Sequence, residues 1–146
     1  MRYMLYESNT EKVTLEKEIE HLKSFLELQQ LRIKQKNFII FNVNGDISNK
    51  IITPMLLISF VENAFKHGSL RAKKPGIDIN LTVDNNNLSF EVINYLRKDK
   101  IEKNDTGGGI GLDNIKRRLE LLYQDKHKLD IRKDNNQFYI KLKLEI

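Results

Sequence analysis

The sequence predicts an α+β domain in which helices cover one face of a mostly antiparallel sheet. Three observations predict it. Apolar residues recur every three or four positions in three separate stretches, at 14–35, 54–67 and 112–122, the period of amphipathic helices. Strand-like runs lie between and after them, and two pairs of these runs flank short asparagine-rich turns. The chain has 146 residues, about one domain's length, with no internal repeat or low-complexity linker to divide it.

The elements follow in order. Residues 14–35 read as a long helix. Leu15, Ile19, Leu22, Leu26, Gln29 and Ile33 alternate spacings of four and three, a coiled-coil-like stripe. Thr14 is placed as an N-cap, with Glu16 and Glu18 in the first turn, where negative charge is favoured. Phe25, Leu28 and Leu31 widen the apolar surface beyond one seam. Two readings follow: a helix lying on its own domain, or one that also meets another chain or domain. Residues 38–43 are a strand closed by Asn44-Gly45-Asp46. Thr53-Pro54 opens a helix, with a capping hydroxyl and proline at the first helical position, and Gly68 suits its end. Residues 77–83 and 88–94 form a hairpin around Asp84-Asn85-Asn86-Asn87. Residues 95–110 are polar, charged and then glycine-rich, the composition of a mobile loop. Leu112, Ile115, Leu119 and Leu122 mark another helix, and a last hairpin turns at Asn135-Asn136 between 129–133 and 138–144.

Composition narrows the function classes. Apolar residues make up 40% and charged residues 31%, enough to bury a core without the charge blocks of a disordered chain. No apolar run approaches the roughly 20 residues of a membrane span, so a soluble domain is expected. Met1-Arg2-Tyr3-Met4-Leu5-Tyr6-Glu7-Ser8 lacks the apolar stretch and small-residue site of a signal peptide. The absence of cysteine excludes disulfides, thiolate zinc sites and cysteine nucleophiles. His21, His67 and His127 lie far apart, which argues against a histidine-based metal site. A net charge of +5 permits contact with phosphates without choosing between a nucleotide and a nucleic acid.

Two groups of residues carry chemistry. On the helix 54–67, Leu56, Leu57, Phe60, Val61 and Ala64 fall on one side. Ser59, Asn63, Lys66 and His67 fall on the other, with Glu62 at the edge. An asparagine oxygen is a hard neutral ligand suited to Mg²⁺, and a lysine is a point charge for phosphate oxygens. The bland alternative is a solvated polar face. The second group is Gly107-Gly108-Gly109-Ile110-Gly111-Leu112, which ends a loop and enters a helix. Glycines let backbone N–H groups approach an anion, and a helix N-terminus adds free donors. The pattern is neither a P-loop nor a dinucleotide fingerprint. Lys116, Arg117 and Arg118 follow it, either as a solvated face or, for one or two of them, reaching a phosphate or a partner.

Together these segments resemble the ATP-binding domain of sensor histidine kinases, within the superfamily that also holds gyrase-type and chaperone ATPases. Thr53-Pro54-Met55-Leu56-Leu57, continuing through Phe60-Val61-Glu62-Asn63-Ala64-Phe65-Lys66-His67-Gly68, resembles the family's asparagine box. Gly107 to Leu112, followed by Asp113-Asn114-Ile115-Lys116-Arg117-Arg118-Leu119, resembles the second glycine box of the LytS-type branch. Val13-Thr14-Leu15-Glu16-Lys17-Glu18, running on to Arg32, resembles that branch's linker, and Arg2-Tyr3-Met4-Leu5-Tyr6 the tail of its dimerisation helix.

The resemblance implies a two-layer α/β sandwich: a mixed, mainly antiparallel sheet with helices on one face and an N-terminal helical linker. It implies two parts, 1–35 as the end of the dimerisation helix plus linker and 36–146 as the ATP-binding kinase domain. ATP and Mg²⁺ are the implied cofactors. Asn63 would coordinate Mg²⁺. Lys66, with His67 beside it, would face the phosphates. Gly107, Gly109 and Gly111 would form the lid, Leu112 would join them in binding the cofactor, and Glu62 and Asn63 with Lys66 would be the catalytic set. The implied reaction passes the ATP γ-phosphoryl group to a histidine upstream of residue 1 and then to an aspartate of a response regulator. The implied assembly is a homodimer through upstream helices, in a cytoplasmic domain reaching the membrane only through a sensor part. Nucleic acid is not expected.

Two departures stand out. The family's adenine-reading aspartate, just after a strand and before glycines, is replaced by Asn94 in Ile93-Asn94-Tyr95-Leu96. Its amide oxygen can accept the same bond without charge. Asp105-Thr106-Gly107 repeats the missing motif literally but follows no strand, so Asn94 is preferred. The second departure is the acceptor. His21 lacks that motif's neighbours and reads as a surface histidine, and His127 as a loop residue. A hydrolytic ATPase of the same superfamily would need a glutamate one turn before the asparagine, where Ser59 stands. A non-enzymatic nucleotide-binding regulatory module stays an alternative, whereas a nucleic-acid-binding module has weak support, because aromatics are only 8% and form no stacking platform.

Overall fold

The computed structural model describes residues 12–34, 36, 38–68, 76–96, 110–134 and 136–146. Strand β1 (Val13–Thr14) leads into helix α1 (Leu15–Arg32). Strands β2 (Ile39–Asn44) and β3 (Ile51–Ile52) precede helix α2 (Leu56–His67). Then come β4 (Ile77–Asp84), β5 (Asn87–Tyr95), helix α3 (Ile110–Leu122), β6 (His127–Asp134) and β7 (Gln137–Glu145).

The main sheet has the order β2-β4-β5-β7-β6. Only β2 and β4 run parallel; the other pairs are antiparallel, so the sheet is mixed and mainly antiparallel, as the resemblance implies. Alternation gives it one buried face. Ile77, Ile79, Leu81 and Val83 of β4 point inward with Leu88, Phe90 and Val92 of β5 and Phe138, Ile140, Leu142 and Leu144 of β7. Register stacks them in rows, such as Leu81, Phe90 and Leu142. The helices supply the opposing layer, through Leu56, Leu57, Phe60, Val61 and Ala64 of α2 and Leu112, Ile115 and Leu119 of α3.

Leu15, Ile19, Leu22 and Leu26 of α1 are buried in that same core. At about 1.5–3 kcal/mol for each buried aliphatic side chain, the four contribute about 6–12 kcal/mol before ordering entropy is subtracted. That rivals the net stability of a domain, about 5–15 kcal/mol, so α1 is part of the fold. Phe25 is half-buried and meets Phe65 of α2 edge-on, with centroids 5.9 Å apart, whereas Leu28 and Leu31 are exposed. Beyond Leu26, Gln30 Oε1 accepts from Ile39 N at 3.3 Å on the sheet's outer strand β2.

Several local expectations change. The first helix ends at Arg32, not 35, because Ile33 turns extended while its N–H bonds back to Gln30 O. Thr14 does cap that helix, accepting from Lys17 N. The second helix begins at Leu56, with Met55 at its N-cap in a left-handed conformation (φ 66°) and no side-chain cap of its own. Thr53 is not the cap: it is buried, its N–H donates to Tyr123 Oη at 3.0 Å and its hydroxyl lies 3.2 Å from the same atom. Pro54 therefore lies before the helix and not in its first turn. His127 opens β6 and is no loop residue; its Nδ1 lies 2.8 Å from Tyr123 O. Strands β1 and β3 form a two-residue antiparallel pair that the sequence did not announce. The loop 95–110 expected to be mobile falls, apart from Tyr95, Leu96 and Ile110, outside the described residues.

Candidate functional site

Helix α2 carries the first group of site residues. Asn63 is only 7% exposed, so it does not lie on a solvated face as its helical position suggested. The first turn of α3 lies against it: a Cβ added at Gly111 would sit 3.8 Å from Asn63 Oδ1. The polar-face expectation holds for Glu62 and Lys66, which are exposed, while Ser59 and His67 are intermediate. Lys66 and His67 follow Asn63 by three and four residues and so share its side of the helix; Glu62, one residue earlier, diverges from it. Ser59 turns its hydroxyl back to Met55 O at 2.7 Å.

The two boxes thus meet at Asn63 and Gly111. Leu112 is fully buried in the core, so what it can offer an anion is its backbone N–H in the first turn of α3, where helix donors lack intrahelical partners. Gly107, Gly109 and Asp105 lie outside the described residues.

Asn94 approaches the end of α2 from the sheet. It follows Leu88, Phe90 and Val92 at period two, so the pleat turns it inward, and it is 1% exposed. Its Nδ2 donates to Tyr95 O at 3.3 Å, while its Oδ1 is buried with no hydrogen-bond partner among the described residues. Gly68, closing α2, pairs with Leu96 just beyond β5. A Cβ at Gly68 would lie 2.5 Å from Ala64 O and 3.3 Å from Asn94 Nδ2, so only glycine lets the helix end come this close. Asn63 Nδ2 is likewise buried and has no hydrogen-bond partner among the described residues. Two buried amides with unspent hydrogen-bonding capacity therefore lie at the end of β5 and on α2, and such groups are rare in native interiors.

A second polar group escaped the sequence reading. Glu18 of α1 is 1% exposed, and its two oxygens accept from Met55 N at 3.0 Å and Leu57 N at 3.3 Å. Burial pushes its carboxyl above the ordinary glutamate value; the two backbone bonds, then the charges of His21 and Arg118, oppose that rise. Arg118 of α3 turns inward from the basic cluster, and its Nη2 donates to Pro54 O at 3.0 Å. Burial lowers its pKa, against the pull of Glu18 and Tyr123. Lys12 Nζ reaches Thr53 Oγ1 at 2.7 Å and lies over the Tyr123 ring. The signal for Glu18 was in the sequence: a carboxylate inside an apolar stripe, three residues after Leu15 and four before Leu22.

Among the described residues no cluster of His, Asp or Glu could hold a metal by itself, and no helix is long and apolar enough to cross a membrane.

Known proteins with this pattern agree in kind. A histidine kinase family model matches residues 1–37. Over 144 residues the chain is 32% identical to the sensor protein LytS of Oceanobacillus iheyensis, covering 90% of this chain and 25% of that protein. The nucleotide-free catalytic domain of histidine kinase ThkA superposes with a TM-score of 0.58 at 16% identity, covering 92% of this chain and 94% of that one. ThkA in complex with the response regulator TrrA gives 0.57 at 14% identity, covering 91% and 40%. At such identities these two structures establish the fold alone. The chain spans about a quarter of the length of the curated relatives it matches. Over 90% of its own length the chain is similar in sequence to the LytS-type sensor histidine kinases, and its fold is that of histidine kinase catalytic domains.

Proposed function

We propose that this chain is the catalytic, ATP-binding part of such a kinase, and that it delivers the γ-phosphoryl group of ATP to a histidine upstream of residue 1. The observation that carries the reading is the approach of Asn63 Oδ1 to the start of α3, with a second buried amide, Asn94, beside the end of the same helix. The residues present fit a nucleotide with its cation. Asn63 has a hard oxygen facing the glycine-box helix and a buried Nδ2 in want of an acceptor, which suits a cation and a phosphate oxygen together. Asn94 Oδ1 is a buried acceptor in want of a donor, which the adenine amino group would supply.

Bound ATP–Mg²⁺ would bring a γ-phosphoryl group whose charge the cation spreads. The chain's own residues bind and orient it. Lys66 and His67 would face the phosphates from α2, the α3 N-terminus offers backbone donors, and the resemblance would have Gly107 and Gly109 contribute to a lid. Glu62, exposed one residue before Asn63 and turned away from it around the helix, would be the carboxylate offered to the incoming histidine. Residues 1–35 would carry the end of the dimerisation helix and the linker, with α1 packed into the core of the kinase domain at 36–146. Homodimerisation would run through those helices, and the onward acceptor would be a response regulator, the kind of partner with which ThkA was solved. The membrane would be reached only through a sensor part. Ser59, its hydroxyl engaged by Met55 O, provides no carboxylate base for the hydrolytic alternative.

Titration with a fluorescent ATP analogue, with and without Mg²⁺, tests the reading. Saturable, Mg²⁺-enhanced binding is expected, and γ-labelled ATP should leave the chain itself unlabelled. Absence of binding would overturn the reading, and an acid-labile label on His21 would overturn the upstream acceptor.

A further inference from the structure

Residues 53–57, the turn that starts α2, are held from outside. Glu18 takes the N–H groups of Met55 and Leu57. Arg118 takes the carbonyl of Pro54, and Tyr123 the N–H of Thr53. A helix that needs only a cap finds one locally, from a serine, threonine or aspartate at its own N-terminus. Here a threonine stands two residues before the N-cap and is engaged elsewhere, while the capping oxygens come from another helix 37 and 39 residues away. Burying that carboxylate carries a desolvation cost that a local hydroxyl would avoid. Further along, Phe25 of α1 lies edge-on against Phe65 of α2. The linker helix therefore grips α2 near both ends, on either side of Asn63.

We propose that Glu18 is a positioning residue for nucleotide binding, through which the seat of the linker helix sets Asn63 against Gly111. The inference rests on the reading that Asn63 and the glycine-box helix face the nucleotide. The six residue steps from Leu57 to Asn63 make about 9 Å of helix, short enough to move as a rod. Without the Glu18 oxygens, the N–H groups of Met55 and Leu57 lose their partners and the left-handed turn at Met55 loses its restraint, so the start of α2 relaxes. Asn63 moves with it, whereas Gly111, on α3, does not. A displacement of α1 along α2 acts at the same point. The linker thereby gains a direct mechanical route to the nucleotide site through residues that do not touch the ligand.

The test measures Mg²⁺-dependent binding of a non-hydrolysable ATP analogue to this chain, at a temperature where circular dichroism shows every variant folded. The variants are Glu18→Gln and, as a control destabilised far from the junction, Val83→Ala. Glu18→Gln should weaken binding about five-fold or more, the range of ordinary coupling between sites, while Val83→Ala leaves it unchanged. Should Glu18→Gln fail to fold, Glu18→Asp, which keeps the charge but shortens its reach, is read against the same control. Wild-type binding with equal affinities in the Glu18 variant and the control would overturn the inference alone. A wild-type chain that binds no nucleotide would overturn the functional reading and this inference with it.

Discussion

Replacing Asn94 by leucine tests the base-reading side of the site with little disturbance to the fold. Leucine has nearly the shape of asparagine, so it can occupy the pocket beside Gly68 without a cavity or new bulk. The change removes the 3.3 Å bond from Nδ2 to Tyr95 O, a long bond at the weak end of the usual range of about 0.5–1.5 kcal/mol. It also removes Oδ1, a buried acceptor with no hydrogen-bond partner among the described residues, whose burial is a cost. The two terms oppose, and the free domain should stay within about 1 kcal/mol of wild type. Binding has no such compensation. An adenine amino group left buried without an acceptor costs about 1–3 kcal/mol, or roughly 5- to 150-fold in affinity. The assay is competition binding of ATP and of the purine ribotriphosphate that carries hydrogen in place of the amino group. ATP should lose affinity for Asn94→Leu while the analogue binds both proteins alike. Equal loss for both ligands, or no loss for ATP, would refute the assignment. Loss on Asp105→Ala instead would move the contact to Asp105.

Asn63→Ala should abolish most of the Mg²⁺-dependent gain in nucleotide affinity, more than about tenfold, because the hard oxygen facing Gly111 is gone; titrations at saturating and zero Mg²⁺ measure it. Its melting temperature should barely move, since the lost amide nitrogen had no hydrogen-bond partner among the described residues. Tyr123→Phe leaves the buried Thr53 N–H without its acceptor and should cost about 1–3 kcal/mol in urea denaturation, with Tyr123→Leu costing more through lost packing. Glu18 gives a pH signature. Its pKa is raised in the folded chain, so folding favours the protonated carboxyl; the associated stability is complete below the ordinary value of 4.5 and is lost as pH rises through the raised one. Wild type should therefore lose stability relative to Glu18→Gln as pH climbs above about 4.5, and a constant difference across that window would contradict the burial argument.

What the sequence could reveal followed from period. Alternation in 77–83, 88–94 and 138–144 was long enough to define strands and their buried side. Continued one step, the same alternation puts Asn94 inside with Phe90 and Val92. The two-residue pair of β1 with β3 is too short to have a period at all. The burial of Asn63 is tertiary: the wheel of α2 shows a polar side, and only the placement of α3 closes it. The misread start of α2 has a related cause. A threonine before a proline signals a cap when no other partner competes, yet the Tyr123 hydroxyl, 70 residues away, takes both the Thr53 N–H and its side chain. Glu18 was visible as a charged intruder in an apolar stripe, but its position in the first helical turn offered a simpler explanation, interaction with its own helix dipole.

The bond from Gln30 to Ile39 bears on how this protein avoids self-association. The sheet has two outer strands. Strand β6 is protected by its composition, with Lys128, Asp130, Arg132, Lys133 and Asp134 along it. Strand β2 reads Ile39-Ile40-Phe41-Asn42-Val43-Asn44, with no charge and no proline, the kind of edge that templates strand addition from another molecule. Its guard is α1: Gln30 engages Ile39, and Lys23, Leu26 and Glu27 line the space beside Ile39 and Phe41. A helix with this second duty can slide or rotate on its seat, but detaching it would uncover an aggregation-prone strand. Motions that keep α1 in contact with the domain are therefore the ones compatible with solubility.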